Sequence, residues 1–375
     1  MTAITQRRRN IPVSYILLGL LTLLGLALGI YRLVVGLGPT TNLNDHYPWG
    51  LWITLDVFLI PVAGAAFTVS AISYFFSRER CHSIIRPALL LGFLGYVAVA
   101  ALLIMDIGRW PQFYNILVPG YINLHSFLEE IALAVTIYTL LLLVEAAPIV
   151  LERWNLQAPI RWINRAVLII AGAGVAISTM HQSSLGSMWL LTSPRLHPIW
   201  WTPILPWLFL VQSFFTGLIS AGMIAYVTWN KLGEQHDRKL MLRCGQIVAG
   251  MMVVYLLMKV GDWLVAGEIG LLFNSGVQSL LIWGELIIGI FVPLAILFSK
   301  AGKRPEGVFW AGVWTLMGTF LNRLVVSWIG LARPAWATYV PSWTEIFIAV
   351  GVIAAAALAY ILAARFFNLF PEESN

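Results

Sequence analysis

Five ionisable side chains lie within stretches of the chain that are apolar enough to cross a bilayer. Because a charge in a membrane span is costly, such groups usually face a partner, a cavity or a proton path. Histidine titrates near neutral pH, and a positioned carboxyl group can act as a general acid or base. The chain is therefore predicted to carry out proton-linked chemistry within a membrane, at Asp56, His125, Glu129, Glu130 and His181.

The spacing of these residues predicts a cluster near one side of the membrane. His125 and Glu129 are four residues apart, so on a helix they share a face and can pair. With a rise of about 1.5 Å per residue, Asp56 and the two glutamates lie about 10 Å inside their spans, and His125 about one turn shallower. His181 is predicted to end its span at the same side, followed by the polar residues Gln182, Ser183 and Ser184.

Each of these residues also has a purely structural interpretation. Asp56 could simply pair with a neighbouring side chain, and His125 could be a capped histidine at the membrane interface. The adjacent carboxyl groups of Glu129 and Glu130 are harder to explain structurally inside a membrane span. We therefore expect at least one of these two glutamates to be functional.

A second polar group lies farther along the chain, at Lys259, Asp262, Glu285, Asn322 and Arg323. Two interpretations stay open for it: an ion-pair network that holds helices together, or a proton route. Glu145, near the other end of its span, is a candidate for the inner mouth of such a route or for an ordinary interfacial carboxylate.

Composition excludes a water-soluble fold. Of 375 residues, 59% are hydrophobic and only 11% are charged, with a mean hydropathy of +0.83, whereas soluble domains carry roughly a quarter charged residues. The net charge of +6 does not indicate nucleic-acid binding, because the basic residues concentrate in alternate loops, which is a topology signal.

The apolar runs predict an all-α, polytopic membrane protein that forms one integral membrane domain over residues 1–375. A span needs about 20 mostly apolar residues. Spans two to five, about 49–181, are predicted to form one four-helix bundle, and spans six to nine, about 203–331, a second, with the first and last spans peripheral. The ten predicted spans are about 13–37, 49–76, 85–107, 122–144, 163–181, 203–229, 243–266, 275–299, 307–331 and 342–366.

The distribution of basic residues predicts the orientation. Seventeen Lys and Arg residues flank the spans on the side of the termini, and only Arg109, Arg195 and Arg333 lie in the loops of the other side. Positive charge marks the cytoplasmic side, so both termini are expected there. The opposite loops are rich in Trp, Tyr and Pro, which indicates either an interfacial aromatic belt or a docking surface for a partner.

Two other functional classes compete with this interpretation. A b-type cytochrome needs paired axial histidines; of six histidines only His125 and His181 fall within spans at comparable depth, which allows one haem but not two. A secondary transporter is the other alternative, although its polar site is expected near the midplane. The two cysteines, Cys81 and Cys244, are far apart and offer no iron–sulfur ligand set.

Four strings of the chain are distinctive, and the most specific is Met180-His181-Gln182-Ser183-Ser184-Leu185-Gly186. The others are Gly36-Leu37-Gly38 with Tyr47-Pro48-Trp49-Gly50-Leu51-Trp52, Leu321-Asn322-Arg323-Leu324, and Pro341-Ser342-Trp343-Thr344-Glu345. Together they resemble the polysulfide-reductase membrane-subunit (NrfD-like) family, and most closely its ten-span, HybB-type branch from membrane-bound nickel–iron hydrogenases.

The resemblance implies a haem-free subunit of the cytoplasmic (inner) membrane that reacts with quinone, either menaquinone or ubiquinone, and has no iron–sulfur cluster of its own. It implies docking beneath a periplasmic iron–sulfur, ferredoxin-like subunit, which connects to a hydrogenase-type catalytic subunit, with proton translocation as an accompanying expectation. The matching quinone-site positions are Asp56, His125, Glu130 and His181, with Trp49, Gln182 and Ser183 assigned to cofactor binding.

Overall fold

The computed structural model describes residues 12–76, 82–123, 125–193, 195–233 and 237–370. Over these ranges the fold is all-α, as predicted, and the only β features are two isolated bridges. The α-helices are α1 Val13–Val35, α2 Leu37–Thr40, α3 Leu51–Ala63, α4 Ala65–Phe76, α5 His82–Asp106, α6 Phe127–Leu151, α7 Gln157–Leu190, α8 Leu205–Leu232, α9 Arg238–Ala266, α10 Leu271–Asn274, α11 Val277–Leu286, α12 Val292–Phe298, α13 Pro305–Leu324 and α14 Trp343–Phe366.

Nine of the ten predicted spans coincide with helices in the described ranges that are long and apolar enough to cross a membrane. The second and eighth spans are each built from two α-helices, α3 with α4 and α11 with α12, the latter pair joined by the π-helical turn Ile287–Phe291. The ninth, predicted at 307–331, is α13 continued by the π-helical turn Val325–Ile329. At about 1.5 Å per residue it is long enough to cross, but Asn322 and Arg323 make it less apolar than the other nine.

Contacts between loops sort the helix ends onto two faces. On one face His197 N donates to Gly330 O (3.2 Å), and Asn42 Nδ2 donates to Val340 O (2.8 Å). We call this the aromatic face, formed by residues 36–50, 107–126, 191–204 and 330–342 apart from 124 and 194. On the opposite face, the basic face, Arg86 pairs with Glu152 at 2.5 Å. The helices therefore run alternately between two faces, as the hydropathy pattern predicts.

Helix packing places α1 and α14 mainly against each other, with the pair resting on α5 and α3. The long helix α8 packs against α3, α4, α5 and α7 on one side and against α9 and α13 on the other. One hydrophobic cluster consequently runs through the helices of both predicted bundles. The division into two four-helix bundles stays a prediction, since α8 joins them closely.

The contact between α1 and α14 depends on two glycines, and this generates the first testable prediction. A Cβ atom added at Gly25 would lie 2.5 Å from Gly351 Cα, whereas nothing lies within 4 Å of a Cβ added at Gly19 of the same helix. Gly25→Ala should lower the free energy of unfolding of the detergent-solubilised protein by about 1–3 kcal/mol through overpacking. Thermal unfolding monitored by size-exclusion chromatography measures the change.

Gly19→Ala is the matched control and should leave stability unchanged or raise it by up to about 1 kcal/mol, because alanine favours the helix. Equal melting temperatures for the two variants would show that α1 does not approach α14 this closely.

Candidate functional site

A cavity of about 480 Å³ opens on the aromatic face. Ligand sites have volumes of about 300–1,000 Å³, so it is large enough for a small-molecule head group. Its walls come from the residues before α3, the start of α6, the end of α7 and the loop after the π-helical turn at 325–329. The lining residues are His46, Pro48, Trp49, His125, Ser126, Phe127, Leu128, Met188, Leu191, Thr192, Ser193, Arg195, Leu331, Ala332 and Arg333.

Two of the predicted site residues, Trp49 and His125, line this cavity. The Trp49 ring meets the ring of the fully buried Trp189 edge-on, with centroids 5.5 Å apart and an interplanar angle of 87°. This contact fixes an aromatic wall, while the exposed His125 supplies a polar group at the rim. Together they give the apolar surface with a few polar groups that is typical of ligand sites.

The charge around the cavity is positive. Arg195 and Arg333 line it, and none of the described lining residues is acidic. Arg333 is held rigidly: its Nε donates to His46 O and its Nη1 to Trp328 O, both at 2.6 Å, and its Cζ lies 3.8 Å from the centre of the Tyr47 ring. Partial burial lowers the pKa of Arg333, and Tyr47 opposes this shift. The cavity therefore favours a ligand with electron-rich oxygens.

The start of α6 differs from the prediction. The fourth span was expected to begin near 122 and to include His125, but the helix begins at Phe127, because the Ser126 side chain caps it by accepting from Glu129 N. His125 consequently lies in the preceding turn, and no hydrogen bond or ion pair joins it to Glu129 in the described structure. The i, i+4 pairing was wrong, since it requires both residues on the helix.

The same helix start relocates the two glutamates. Glu129 and Glu130 lie in the first turn of α6, where the helix dipole stabilises a negative charge. Their adjacency therefore has a structural explanation that a mid-span position would not offer. Glu130 Oε1 accepts a hydrogen bond from Ser184 Oγ at 2.5 Å, whereas Glu129 Oε1 is buried without a hydrogen-bond partner among the described groups.

The Glu130–Ser184 pair lies directly beneath the cavity. Phe127 lines the cavity three residues before Glu130 on α6, and Met188 lines it four residues after Ser184 on α7. Both offsets correspond to about one helical turn, or about 5 Å. A hydrogen-bonded carboxyl group is thus held one turn below the cavity, where it can exchange a proton with a bound ligand.

His181 lies deeper than predicted. The fifth span was expected to end at 181, but α7 continues to Leu190, which places His181 nine residues, or about 14 Å, inside the helix end. The helix continues because its polar residues find partners: Gln182 Nε2 donates to Ile60 O (3.3 Å) and Gln182 Oε1 accepts from Ser213 Oγ (2.5 Å). His181 is fully buried, and its Nδ1 meets Tyr96 OH at 3.2 Å.

Two further predicted site residues do not reach the cavity. Ser183 Oγ donates to Met180 O on its own helix at 2.8 Å. Asp56 is buried in α3, and neither of its carboxyl oxygens has a hydrogen-bond partner within the described structure. Asp56 interacts electrostatically with Asp106, which in turn interacts with Arg32 and Glu345. The predicted single cluster is therefore divided among several sites.

The group around Asp56 includes residues that the sequence analysis did not select. Arg32 is fully buried in α1 and donates from Nη2 to Ile107 O at 2.8 Å. Glu345 caps α14 and accepts from Tyr339 OH at 2.5 Å. One signal could have identified Arg32 and Asp106 from the sequence: both are ionisable residues within apolar spans, as the selected residues are.

The second polar group is a compact buried network. Lys259 Nζ lies 2.6 Å from Glu285 Oε1, with both side chains buried, and Trp200 Nε1 donates to Glu285 Oε2 at 2.9 Å. The guanidinium carbon of Arg323 lies 3.5 Å from the centre of the Phe209 ring. Asp262 accepts from Thr202 Oγ1 (2.6 Å).

A space of about 10 Å³ lies among these side chains, which is close to the minimum for one water molecule. Glu145, by contrast, lies on α6 and accepts from Ser70 Oγ at 3.0 Å. Glu145 is thus not part of the network around Lys259 and Glu285 in the described structure.

Comparisons with known proteins show which proteins this chain resembles in sequence. The family model "Polysulphide reductase, NrfD" matches residues 39–335. The "Probable Ni/Fe-hydrogenase 2 b-type cytochrome subunit" of Escherichia coli (strain K12) is 27% identical over 94% of this chain and 91% of its own length. The "Menaquinone reductase, integral membrane subunit" of Nitratidesulfovibrio vulgaris is 31% identical over 92% and 88%.

A more distant relative is the "Hdr-like menaquinol oxidoreductase integral membrane subunit" of Archaeoglobus fulgidus, 22% identical over 93% of this chain and 92% of its own length. These relatives are membrane subunits of oxidoreductase complexes. Together with the nine apolar helices, they identify the chain as an integral membrane protein.

The buried ion pair gives a stability prediction. Lys259→Met would leave the Glu285 carboxylate buried without its counter-charge, which costs about 3–5 kcal/mol of unfolding free energy. The double variant Lys259→Met with Glu285→Gln should recover most of the loss. Thermal unfolding of the solubilised protein provides the measurement.

The partly exposed Arg86–Glu152 pair is the control for the ion-pair prediction. Its side chains are 19% and 34% exposed, so Arg86→Gln should cost no more than about 1 kcal/mol. A Lys259→Met protein as stable as the unaltered chain would contradict a structural role for the buried pair.

Proposed function

The chain belongs to the NrfD (polysulphide reductase) family, and on that premise we propose that it is the quinone-reactive membrane subunit of a respiratory oxidoreductase complex. It passes electrons between an iron–sulfur partner and membrane quinone, menaquinone or ubiquinone. The observation that carries the proposal is the cavity on the aromatic face, with Trp49 and His125 in its wall and the Glu130–Ser184 pair one turn below.

The cavity matches the chemical needs of quinone reduction. Reduction adds two electrons and two protons to form a quinol, so each carbonyl oxygen needs a hydrogen-bond donor and a route for a proton. The imidazoles of His46 and His125 can donate to these oxygens, and the guanidinium groups of Arg195 and Arg333 favour negative charge on them. Glu130 supplies an exchangeable proton beneath.

Electrons have to come from a partner. The two cysteines, Cys81 and Cys244, are far apart in the chain and offer no four-ligand set for an iron–sulfur cluster. We place the partner on the aromatic face, because the cavity opens there and large aromatic side chains project from it: Trp336 and Tyr121 are each more than 60% exposed. Exposed aromatic residues of this kind favour a protein interface. The partner is an iron–sulfur, ferredoxin-like subunit that leads to a hydrogenase-type catalytic subunit.

The charge distribution supports an orientation with the aromatic face on the outer side of the cytoplasmic membrane and both termini in the cytoplasm. Protons consumed at the cavity could then be drawn from either side. The buried network of Lys259, Asp262, Glu285 and Arg323 is a candidate for proton translocation through the second bundle, and its compact ion pairing is equally suited to holding helices together.

The alternative of a b-type cytochrome is supported by the name of the Escherichia coli relative, a b-type cytochrome subunit. His181 lines neither of the two cavities described above. A haem bound to His181 would therefore need the side chains around that residue to be displaced. A haem absorption band in the purified subunit would favour this alternative. Solute uptake by vesicles that contain this chain alone would favour a transporter.

The proposal predicts that Glu130→Gln slows quinone-linked turnover of the purified complex by 100-fold or more, which is about the contribution of a positioned general acid. Reduction of an artificial dye by the catalytic partner should be unchanged, because that reaction does not use the cavity. Parallel rate measurements with a quinone analogue and with the dye provide the test.

Glu306→Gln serves as the control. Glu306 also lies in the first turn of a helix, but at the basic face, and its replacement should affect neither rate. A Glu130→Gln complex with an unchanged quinone rate would remove Glu130 from the site, and loss of both rates would show a general assembly defect instead.

A further inference from the structure

Positive charge concentrates at one corner of the basic face, where α9 begins and where α12 turns into α13. Residues 231–243 and 299–306 together carry seven Lys and Arg against three Asp and Glu. Six of the seven basic residues belong to these two elements, and all six are exposed: Arg238, Lys239, Arg243, Lys300, Lys303 and Arg304. We call these six residues the basic patch.

The two halves of the basic patch form one surface, although they are far apart in sequence. Arg238 Nη2 donates to Lys303 O at 3.2 Å. Helix α9 also packs against α12, α13 and the 3-10 turn between them. That turn is compact, because a Cβ atom added at Gly307 would overlap the carbonyl group of Ala301. The turn therefore holds its three cations beside those of α9.

The acidic residues of this corner have other partners. Asp237 caps α9 by accepting from Leu240 N at 3.0 Å, and its second carboxyl oxygen accepts from Ser83 Oγ at 3.3 Å. Glu306 accepts from Tyr226 OH at 3.5 Å. The third acidic residue, Glu234, lies outside the described residues. Within the described ranges, none of the six cations of the basic patch forms an ion pair.

Neither helix stability nor topology accounts for this arrangement. Arg238 and Lys239 lie in the first turn of α9, where the helix dipole disfavours positive charge. The positive-inside rule depends on the number of basic residues in each loop. It does not require the cations of two separate loops to meet in one surface. A surface of this kind favours an anion that contacts both elements.

Apolar surface lies directly below the cations. One exposed face of α9 is cationic at its first two positions and apolar farther into the membrane. Its members follow at intervals of four, four, three and four residues, which match the helical repeat: Lys239, Arg243, Ile247, Gly250 and Val254. On α12, the Phe298 side chain is 70% exposed and lies two residues before Lys300. Charge and apolar surface thus succeed each other within about one helical turn.

We infer that the basic patch binds the headgroup of an anionic phospholipid, whose acyl chains lie along the exposed apolar face of α9 and against Phe298. Guanidinium and ammonium groups donate charge-assisted hydrogen bonds to phosphate oxygens. Basic pockets between membrane helices at the cytoplasmic surface attract anionic headgroups in this way. The lipid would join α9 to the turn between α12 and α13. This inference does not depend on the proposed function.

The inference is tested by native mass spectrometry of the full chain, purified in detergent and titrated with phosphatidylglycerol or with phosphatidylcholine of the same acyl chains. The unaltered chain should bind its first phosphatidylglycerol at least about 10-fold more tightly than phosphatidylcholine. Each cation near the headgroup contributes roughly fivefold in affinity. The triple variant Lys300→Gln, Lys303→Gln and Arg304→Gln should therefore lose the preference, with phosphatidylcholine binding unchanged.

A second triple variant removes the other half of the basic patch. Arg238→Gln, Lys239→Gln and Arg243→Gln should have the same effect, because both elements contact one headgroup. An unchanged elution volume in size-exclusion chromatography and unchanged phosphatidylcholine binding show that each variant is folded. If one variant does not fold, the other still provides the test.

The matched control removes three exposed cations elsewhere on the basic face, at Arg153, Arg161 and Arg165. Their replacement by Gln changes the net charge of the chain and of this face by the same amount. Affinity for phosphatidylglycerol should stay within about twofold of the unaltered chain, because these residues are not part of the basic patch.

The location of the lipid is measured separately, by photolabelling the unaltered chain with a phosphatidylglycerol that carries a diazirine in its acyl chain. Label should appear on the peptides that contain Ile247 to Val254 and Phe298. Label confined to other helices would overturn the inference. Equal affinity of the unaltered chain for both lipids would also overturn it, as would an equal loss in all three triple variants, which indicates attraction by the general surface charge. Displacement of the lipid by millimolar inorganic phosphate would show a site for soluble anions instead.

Discussion

The high cost of leaving a polar group without a partner inside an apolar interior decides most of this structure. The backbone N–H and C=O groups of each helix bond to each other within that helix. The side chains therefore determine which helices meet and how far each one extends. Gln182, bonded to Ser213 and to Ile60 O, allows α7 to continue past the point where its apolar character declines. Lys259 and Glu285 satisfy each other across α9 and α11 in the same way. Where the pairing is incomplete, as at Asp56 and at His181 Nε2, the structure retains groups that can bind or pass a proton.

The same constraint explains why the cavity lies at the end of the helices. Loops at the aromatic face can leave polar and cationic groups partly hydrated, so His46, His125 and Arg333 surround a space there without the cost of full burial. One turn below, Glu130 is stabilised by its position at the start of α6 and by Ser184. The transition from hydrated rim to dry interior thus takes place within two turns of α6 and α7. Such a boundary suits the ligand that we propose for the cavity, which exchanges both electrons and protons.

Much of this architecture could be predicted from the sequence. Hydropathy alone identifies the spans, and the alternation of basic and aromatic loops predicts the two faces, because both signals are carried by single residues and their order. Helix ends were less predictable. The cap at Ser126 is local to α6, whereas the continuation of α7 beyond His181 depends on partners in other helices. Differences of five residues at the start of α6 and nine at the end of α7 moved His125 out of its helix and His181 about 14 Å inward. The grouping of Asp56 with Asp106 and Arg32 was missed because depth in the membrane can be counted along a span, whereas the rotation of one helix against another cannot.

The central claim is that quinone binds in the cavity on the aromatic face, and photoaffinity labelling tests it most directly. The purified complex would be irradiated with an azido-quinone, digested and analysed by mass spectrometry, with excess unlabelled quinone as competitor. The account predicts competed label on peptides that contain Trp49, Phe127 to Leu128 or Met188 to Leu191, all from the cavity wall. Competed label confined to the neighbourhood of Lys259 and Glu285, or to the lipid-facing side of α1, would contradict it.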